Sequence, residues 1–199
     1  MICKLSPTAP RLILFAGHAG TGKSTLAKKA LPLIIERTGE DFFFLDKDTV
    51  YGSYSAHVMD LTTQNPNDRD SPFYLNHLRD WEYQGLLEIT KENLLLGVNV
   101  ILVGPFSKEI QSGRMFRSEA LGFPPNTKIS IAWIELNEDE ARLRMQKRGD
   151  PRDNWKLEHW DQYVTRRIDP PTHSSLHRFD NADFNEIQFD HLIDQLIEN

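Results

Sequence analysis

The sequence predicts a three-layer α/β fold around a mostly parallel sheet, and three observations carry that reading. Short apolar runs at Leu12–Ala16, Phe42–Leu45, Val98–Val103 and Ile129–Leu136 alternate with helical patterns, which is the order of strand–helix–strand units. The first is apolar throughout, as a strand covered by helices on both faces should be. Between that run and the first helix lies Gly17-His18-Ala19-Gly20-Thr21-Gly22-Lys23-Ser24, which fits G-x-x-x-x-G-K-[ST] at every fixed position.

Strand, glycine loop and helix is the arrangement this pattern needs in order to work. Glycines let successive backbone N–H groups turn inward toward phosphate oxygens. The helix N-terminus adds unpaired donors and a partial positive charge. Lys23 can reach the β- and γ-phosphates, and the Ser24 hydroxyl can ligate Mg²⁺. The loop is therefore expected to bind a nucleoside triphosphate.

The elements follow in order. Residues 1–10 hold two prolines and read as a short tail. After the loop, Thr25 to Arg37 form a helix stopped by Thr38-Gly39. Phe42-Phe43-Phe44-Leu45 is a second buried strand ending in Asp46-Lys47-Asp48. If the chain stays extended, positions 46 and 48 point the same way and both carboxylates face one site. Residues 49–80 are irregular in composition, with Gln64 to Asp70 as a polar loop. Ser71-Pro72 opens a helical stretch through Leu75, Leu78, Trp81, Leu86 and Leu95, which stops at Gly97. The third strand ends in Gly104-Pro105-Phe106, and Ser107 caps a helix containing Ile110, Met115 and Leu121. Gly122 to Asn126 break the chain before the fourth strand. Asn137 then caps a helix whose first turn carries Glu138-Asp139-Glu140.

That helix bears Arg142, Arg144 and Arg148 and breaks at Gly149-Asp150-Pro151, before Arg152. Arg144 and Arg148 share a face. They are either a solvated surface or, with Arg152, a basic flap closing over the transferring phosphoryl group. Trp155 to Ile168 read as one helix stopped by Pro170-Pro171. A weak fifth strand at Leu176–Phe179 leads to Asp180-Asn181 and a C-terminal amphipathic helix with Phe189, Leu192, Ile193 and Leu196. His173 and His177 read as ordinary surface residues.

Composition narrows the function. The chain has 199 residues, 39% of them hydrophobic and 26% charged, which fits a single globular domain. A net charge of −6 speaks against bulk electrostatic binding of nucleic acid. Cys3 is the only cysteine, so neither an intramolecular disulfide nor a cysteine zinc site is expected. The N-terminus lacks the apolar run of a signal peptide and no stretch is long enough to span a bilayer, so the expected setting is cytoplasmic.

The acids separate the uses of such a loop. A hydrolysing ATPase usually ends a strand in Asp-Glu, whereas the third strand ends in Gly104-Pro105 and Lys47 follows Asp46. Small kinases instead place a carboxylate where it accepts a proton from an acceptor hydroxyl.

Several segments, in order, resemble the small P-loop kinases of the adenylate-kinase-like group, above all its zeta-toxin-like and chloramphenicol-phosphotransferase-like ATP-binding proteins, often labelled AAA-type. They are Gly17 to Thr25, Leu45 to Thr49, Arg69 to Pro72, Gly104 to Phe106, Arg148 to Lys156, and Asp180-Asn181. The resemblance implies a P-loop NTPase fold with a five-stranded parallel sheet, an arginine-bearing lid around 148–153 and an adenine contact near Asp180 and Asn181. It also implies that residues 50–80 form the acceptor side. The acceptor-binding regions of the toxin and antibiotic-modifying members find no residue-by-residue match, so neither activity carries over.

The expectation is thus an ATP- and Mg²⁺-dependent phosphotransferase acting on a small hydroxylated acceptor. Gly17, His18, Ala19, Gly20, Thr21, Gly22, Lys23, Ser24 and Thr25 hold the phosphates, and Ser24 with Asp46 holds the metal. Asp48 is the preferred base, with the roles of Asp46 and Asp48 open to exchange, and Arg144, Arg148 and Arg152 neutralise developing charge. A polynucleotide-end kinase and a nucleotide-dependent switch controlling a partner are the alternatives.

Overall fold

The apolar runs pair into one sheet. In the computed structural model, which describes residues 9–198, five strands lie parallel: β1 (Arg11–Ala16), β2 (Phe42–Asp46), β3 (Asn99–Val103), β4 (Lys128–Glu135) and β5 (Leu176–Asp180). Their order is β2-β3-β1-β4-β5, which puts β1 and the loop that follows it at the centre. The helices are α1 (Lys23–Thr38), α2 (Lys47–Thr63), α3 (Pro72–His77), α4 (Arg79–Leu95), α5 (Ser107–Gln111) and α6 (Ser118–Leu121), then α7 (Glu138–Arg148), α8 (Asn154–Glu158), α9 (Trp160–Val164) and α10 (Glu186–Glu198). Short 3₁₀ turns occupy Arg114–Phe116 and Pro151–Asp153.

Alternate residues of each strand serve opposite layers. Ile13, Phe15, Ile101 and Val103 pack on one side against Ala27 and Ile34 of α1 and against Leu192 and Ile193 of α10. Leu12, Leu14, Val100 and Leu102 pack on the other side against Leu86, Leu87 and Leu94 of α4. Both faces of the central strands are therefore dry, which is why their sequences do not alternate.

Several expectations change in detail. The proposed tail at 1–10 lies outside the described residues up to position 8, and Pro10 is buried with its carbonyl accepting from the Lys128 amide at 2.9 Å. Residues 47–63 are not irregular but form the 17-residue helix α2. It buries only Lys47, Ser55 and Met59, so it has almost no apolar stripe for a sequence reading to find. The stretch from Pro72 to Leu95 is two helices, broken at Leu78 (φ −120°, ψ −42°). Ser107 is the first residue of α5, whose cap is Phe106 in the left-handed region (φ 46°). The single helix expected at 155–168 is instead two five-residue helices, Asn154–Glu158 and Trp160–Val164, meeting at His159.

The two cores predict a contrast in urea denaturation. Ile34→Ala, at a position with no exposure, should cost about 2–5 kcal/mol. Ile187→Ala, at a side chain 81% exposed, should stay within about 0.5 kcal/mol.

Candidate active site

The loop after β1 turns on its glycines. Gly17, Gly20 and Gly22 have φ of 137°, 80° and 92°, where L side chains are strained. Space forbids a side chain as well. A Cβ on Gly17 would lie 2.3 Å from the Ile134 carbonyl oxygen, and one on Gly20 2.8 Å from that of Ala141. One on Gly22 would lie 2.7 Å from Nδ2 of Asn181. Internal bonds fix the remaining turn: Thr21 Oγ1 donates to the His18 carbonyl at 2.9 Å, and Asn181 Nδ2 donates to the Thr21 carbonyl at 2.8 Å. Gly22 then caps α1, so Lys23, Ser24 and Thr25 form its first turn.

His18 offers the site its backbone rather than its ring. The buried imidazole stands edge-on to Trp133, and its Nε2 accepts from the Ile168 amide at 3.1 Å. Burial pushes its pKa down to about 4, so the ring is neutral at physiological pH. Ala19 donates its amide to the Tyr163 hydroxyl at 3.0 Å, which ties α9 to the loop. Tyr163 carries no signal in the sequence, because one aromatic on an apolar helix face reads as core.

At the end of β2 the two acids come together by a different route from the one the sequence suggested. The chain does not stay extended: Asp46 is the last strand residue and caps α2, its Oδ1 accepting from the Asp48 amide at 2.9 Å. Asp48 sits in the first helical turn, where a carboxylate suits the helix dipole. Asp46 is buried, whereas the Asp48 carboxylate is 61% exposed. Both act on the Lys23 ammonium. A Mg²⁺ ion takes one or two protein oxygens alongside phosphate and water. Ser24 in the first turn of α1 and Asp46, whose second oxygen makes no hydrogen bond among the described residues, supply a donor set of that kind.

The basic segment divides. Arg148 pairs with the buried Asp153, and Arg152 pairs with Asp150 at 2.6 Å and with Asp48 at 3.6 Å. Lys156, not singled out by the sequence, reaches Asp70 at 2.6 Å and also acts on Lys23 and Asp48. Arg144 instead donates to the carbonyls of Asn181 and Ala182 at 2.7 and 3.0 Å. Arg144 and Arg148 thus leave a common helix face for different partners. Asn181 is buried beneath the loop, while Asp180, exposed, caps its own turn by accepting from the Ala182 amide.

Lys23 focuses the electrostatics. Its Nζ donates to the His18 carbonyl at 2.7 Å. Burial lowers its pKa to about 8, with Asp48 and Asp46 acting against that shift and Arg148 and Lys156 adding to it. A bound triphosphate would restore the charge. Nucleotide binding at about pH 8.5 should therefore take up a fraction of a proton, and affinity should fall as pH rises past about 8. Calorimetry in buffers of different ionisation enthalpy measures both; affinity that does not change between pH 7 and about 9.5 would contradict the assignment.

Comparison with known proteins bears on the family and the fold. Residues 12–171 match the AAA_33 family, described as an AAA domain. No curated protein matches the sequence. The solved structures it resembles include the Mycobacterium tuberculosis APS kinase CysC in complex with AMPPNP and APS, with a TM-score of 0.62, 18% identity, and 97% of this chain and 100% of that one covered. They also include a gluconokinase from Sinorhizobium meliloti 1021, with a TM-score of 0.55, 17% identity and coverage of 96% and 90%. Chaetomium thermophilum Kti12 in complex with ADP-AlF3 has a TM-score of 0.63, 16% identity and coverage of 95% and 98%. The chain belongs to the AAA_33 family of AAA domains and has the fold of the small P-loop kinases.

Proposed function

We propose that this protein is an ATP- and Mg²⁺-dependent phosphotransferase that phosphorylates a hydroxyl of a small acceptor. One observation carries the reading: the Asp46-Lys47-Asp48 turn brings two carboxylates to bear on the phosphate-loop lysine, one of them buried and one open to solvent. A buried acid suits a metal, and an exposed one suits a proton acceptor. The likeness in fold to a gluconokinase and an APS kinase supports a small acceptor.

In this reading the loop amides and Lys23 hold the phosphates, and Ser24 and Asp46 would hold Mg²⁺, which would supply screening of their charge. Asp48 takes the proton of the acceptor hydroxyl as that oxygen bonds to the γ-phosphorus. The bond from the γ-phosphorus to the β–γ bridging oxygen breaks, and ADP leaves. Arg148 and Arg152 exchange their carboxylate partners for the transferring phosphoryl oxygens, which the guanidinium can bind two at a time. Arg144 braces residues 181–182, the segment assigned to the adenine by the resemblance to the zeta-toxin-like group. Residues 50–97 form the acceptor side and 144–156 the lid of a single cytoplasmic domain. None of the helices of the described residues is long and apolar enough to cross a membrane.

A screen of sugars, nucleosides, aminoglycosides, other small alcohols and nucleic-acid ends with γ-labelled ATP identifies the acceptor. Tight ATP binding with no transfer to any of them would favour a nucleotide switch instead. With an acceptor in hand, Asp48→Asn should lower turnover ~10²–10⁴-fold at similar ATP affinity. Asp46→Asn should raise the Mg²⁺ requirement. Reversed phenotypes exchange the two roles, and wild-type turnover in both variants ends the proposal. Arg148→Lys and Arg152→Lys should keep most nucleotide affinity and lose turnover in single-turnover transfer, because the ammonium cannot copy a bidentate contact.

A further inference from the structure

Arg148, Asp153, Lys156, Asp70 and Arg166 form a row of alternating charges between the end of α7 and the loop before α3. Arg148, the last residue of α7, sends Nη2 and Nε to Oδ2 of Asp153, the Nε bond being 3.1 Å long. Nζ of Lys156 on α8 stands 3.6 Å from Oδ1 of Asp153 and 2.6 Å from Oδ2 of Asp70. Beyond it, Nη1 of Arg166, just past α9, donates to the Asp70 carbonyl at 3.0 Å and lies 3.7 Å from Oδ1 of that residue. The Arg166 guanidinium rests over the Trp155 ring, 4.6 Å from its centroid.

Burial makes each partner matter. The Asp153 carboxylate is 3% exposed and that of Asp70 13%, whereas the Arg148 side chain is 51% exposed. An interior carboxylate that loses its cation keeps the cost of its own desolvation, so a departure without a replacement is costly. Each acid has two cations within salt-bridge distance among the described residues, one in contact and one standing off. They are Arg148 and Lys156 for Asp153, and Lys156 and Arg166 for Asp70. Both gaps exceed a charge-assisted hydrogen bond by about 1 Å or less, so a small side-chain shift closes either one. Burial raises the Asp70 pKa, and Lys156, followed by Arg166, acts against that rise.

We propose that Lys156 and Arg166 are positioning residues in a relay that frees Arg148 for the bound nucleotide. As Arg148 swings from Asp153 to phosphate oxygens, Lys156 closes on Asp153, and Arg166 takes its place on Asp70. No buried carboxylate is left alone and no proton moves. The relay also carries the arrival of nucleotide to Asp70, in the loop that leads into α3. The movement of Arg148 onto phosphate belongs to the phosphotransferase reading, on which the relay rests; nucleotide binding tests the relay without an acceptor.

Calorimetric titration of the full chain with AMPPNP and Mg²⁺ is the test. Lys156→Met leaves Asp153 with Arg148 alone, so binding should weaken ~10-fold or more. Adding Asp153→Asn removes the charge that would be stranded and should restore affinity to within about 2-fold of wild type. Asp153→Asn by itself should tighten binding by less than about 2-fold, because Lys156 already covers the departure of Arg148. At the far end of the row, Arg166→Met should weaken binding as well, and Asp70→Asn should restore it. Arg166 is partly exposed, so this second pair decides the matter if Lys156→Met does not fold. Wild-type affinity in either folded single variant overturns the relay. So does an Asp153→Asn change that tightens binding equally with and without Lys156, the mark of charges that simply add. Failure of Asp153→Asn to restore Lys156→Met also overturns it, since that is the result of Lys156 touching phosphate directly. The enzyme assignment fails separately: restored binding in both pairs with no transfer to any acceptor leaves the relay standing without it.

Discussion

At the end of β1 the chain has six residues, 17–22, in which to leave a buried strand, enclose a space fit for phosphate and enter a helix. The three glycines solve this in two ways at once. Their positive φ values aim the backbone, and their missing side chains let the loop lie against the ends of β4, α7 and the 181 segment. Everything else in the site is placed relative to this turn. α1 begins at Lys23 because Gly22 caps it, and the central place of β1 in the sheet brings β2 and β3 on one side and β4 on the other to the same edge. Crevices at that edge of parallel sheets are where ligands settle.

Around this frame the charges are arranged as a set of exchangeable pairs. Lys23 is held on a backbone carbonyl and weakened by burial, Arg152 is shared between Asp150 and Asp48, and Arg148 rests on Asp153. Each cation that the proposed chemistry would turn toward phosphate already has an oxygen to satisfy it. Lys156 links the segment after α7 to Asp70 in the loop before α3, and Glu82 links α2, α3 and α4 to the turn that carries the acids. A swap of partner at any of these cations would change the number of unpaired charges little, which keeps its cost low.

The sequence made the frame legible because the frame is built from local rules. Apolar runs of strand length, the glycine pattern and Gly39 past α1 all name their structures directly. The helices between β2 and β3 were harder. α2 carries Gly52 and a mixed polar face, so no apolar periodicity announced it, and that hid the true origin of the Asp46–Asp48 pairing. Their approach to one site comes from a helix cap, not from strand alternation. Nothing local in the sequence marks Glu82, since only tertiary structure shows that Ser55, Tyr74 and Lys47 surround it. Arg144 and Arg148 sit four apart, but that spacing could not tell that one would turn to a backbone carbonyl and the other to Asp153.

The central claim is that phosphate loop, acid turn and arginine segment serve one bound nucleotide. A crystal structure of the protein with Mg²⁺ and a non-hydrolysable ATP analogue tests it most directly. The account predicts phosphate oxygens on the amides of residues 18 and 20–24, with that of Ala19 staying on Tyr163, the metal between Ser24 and Asp46, and Asp48 facing the terminal phosphate from the open side. A nucleotide seated away from the loop, or a terminal phosphate with Asp48 turned from it and Arg148 and Arg152 still on their carboxylates, would contradict it.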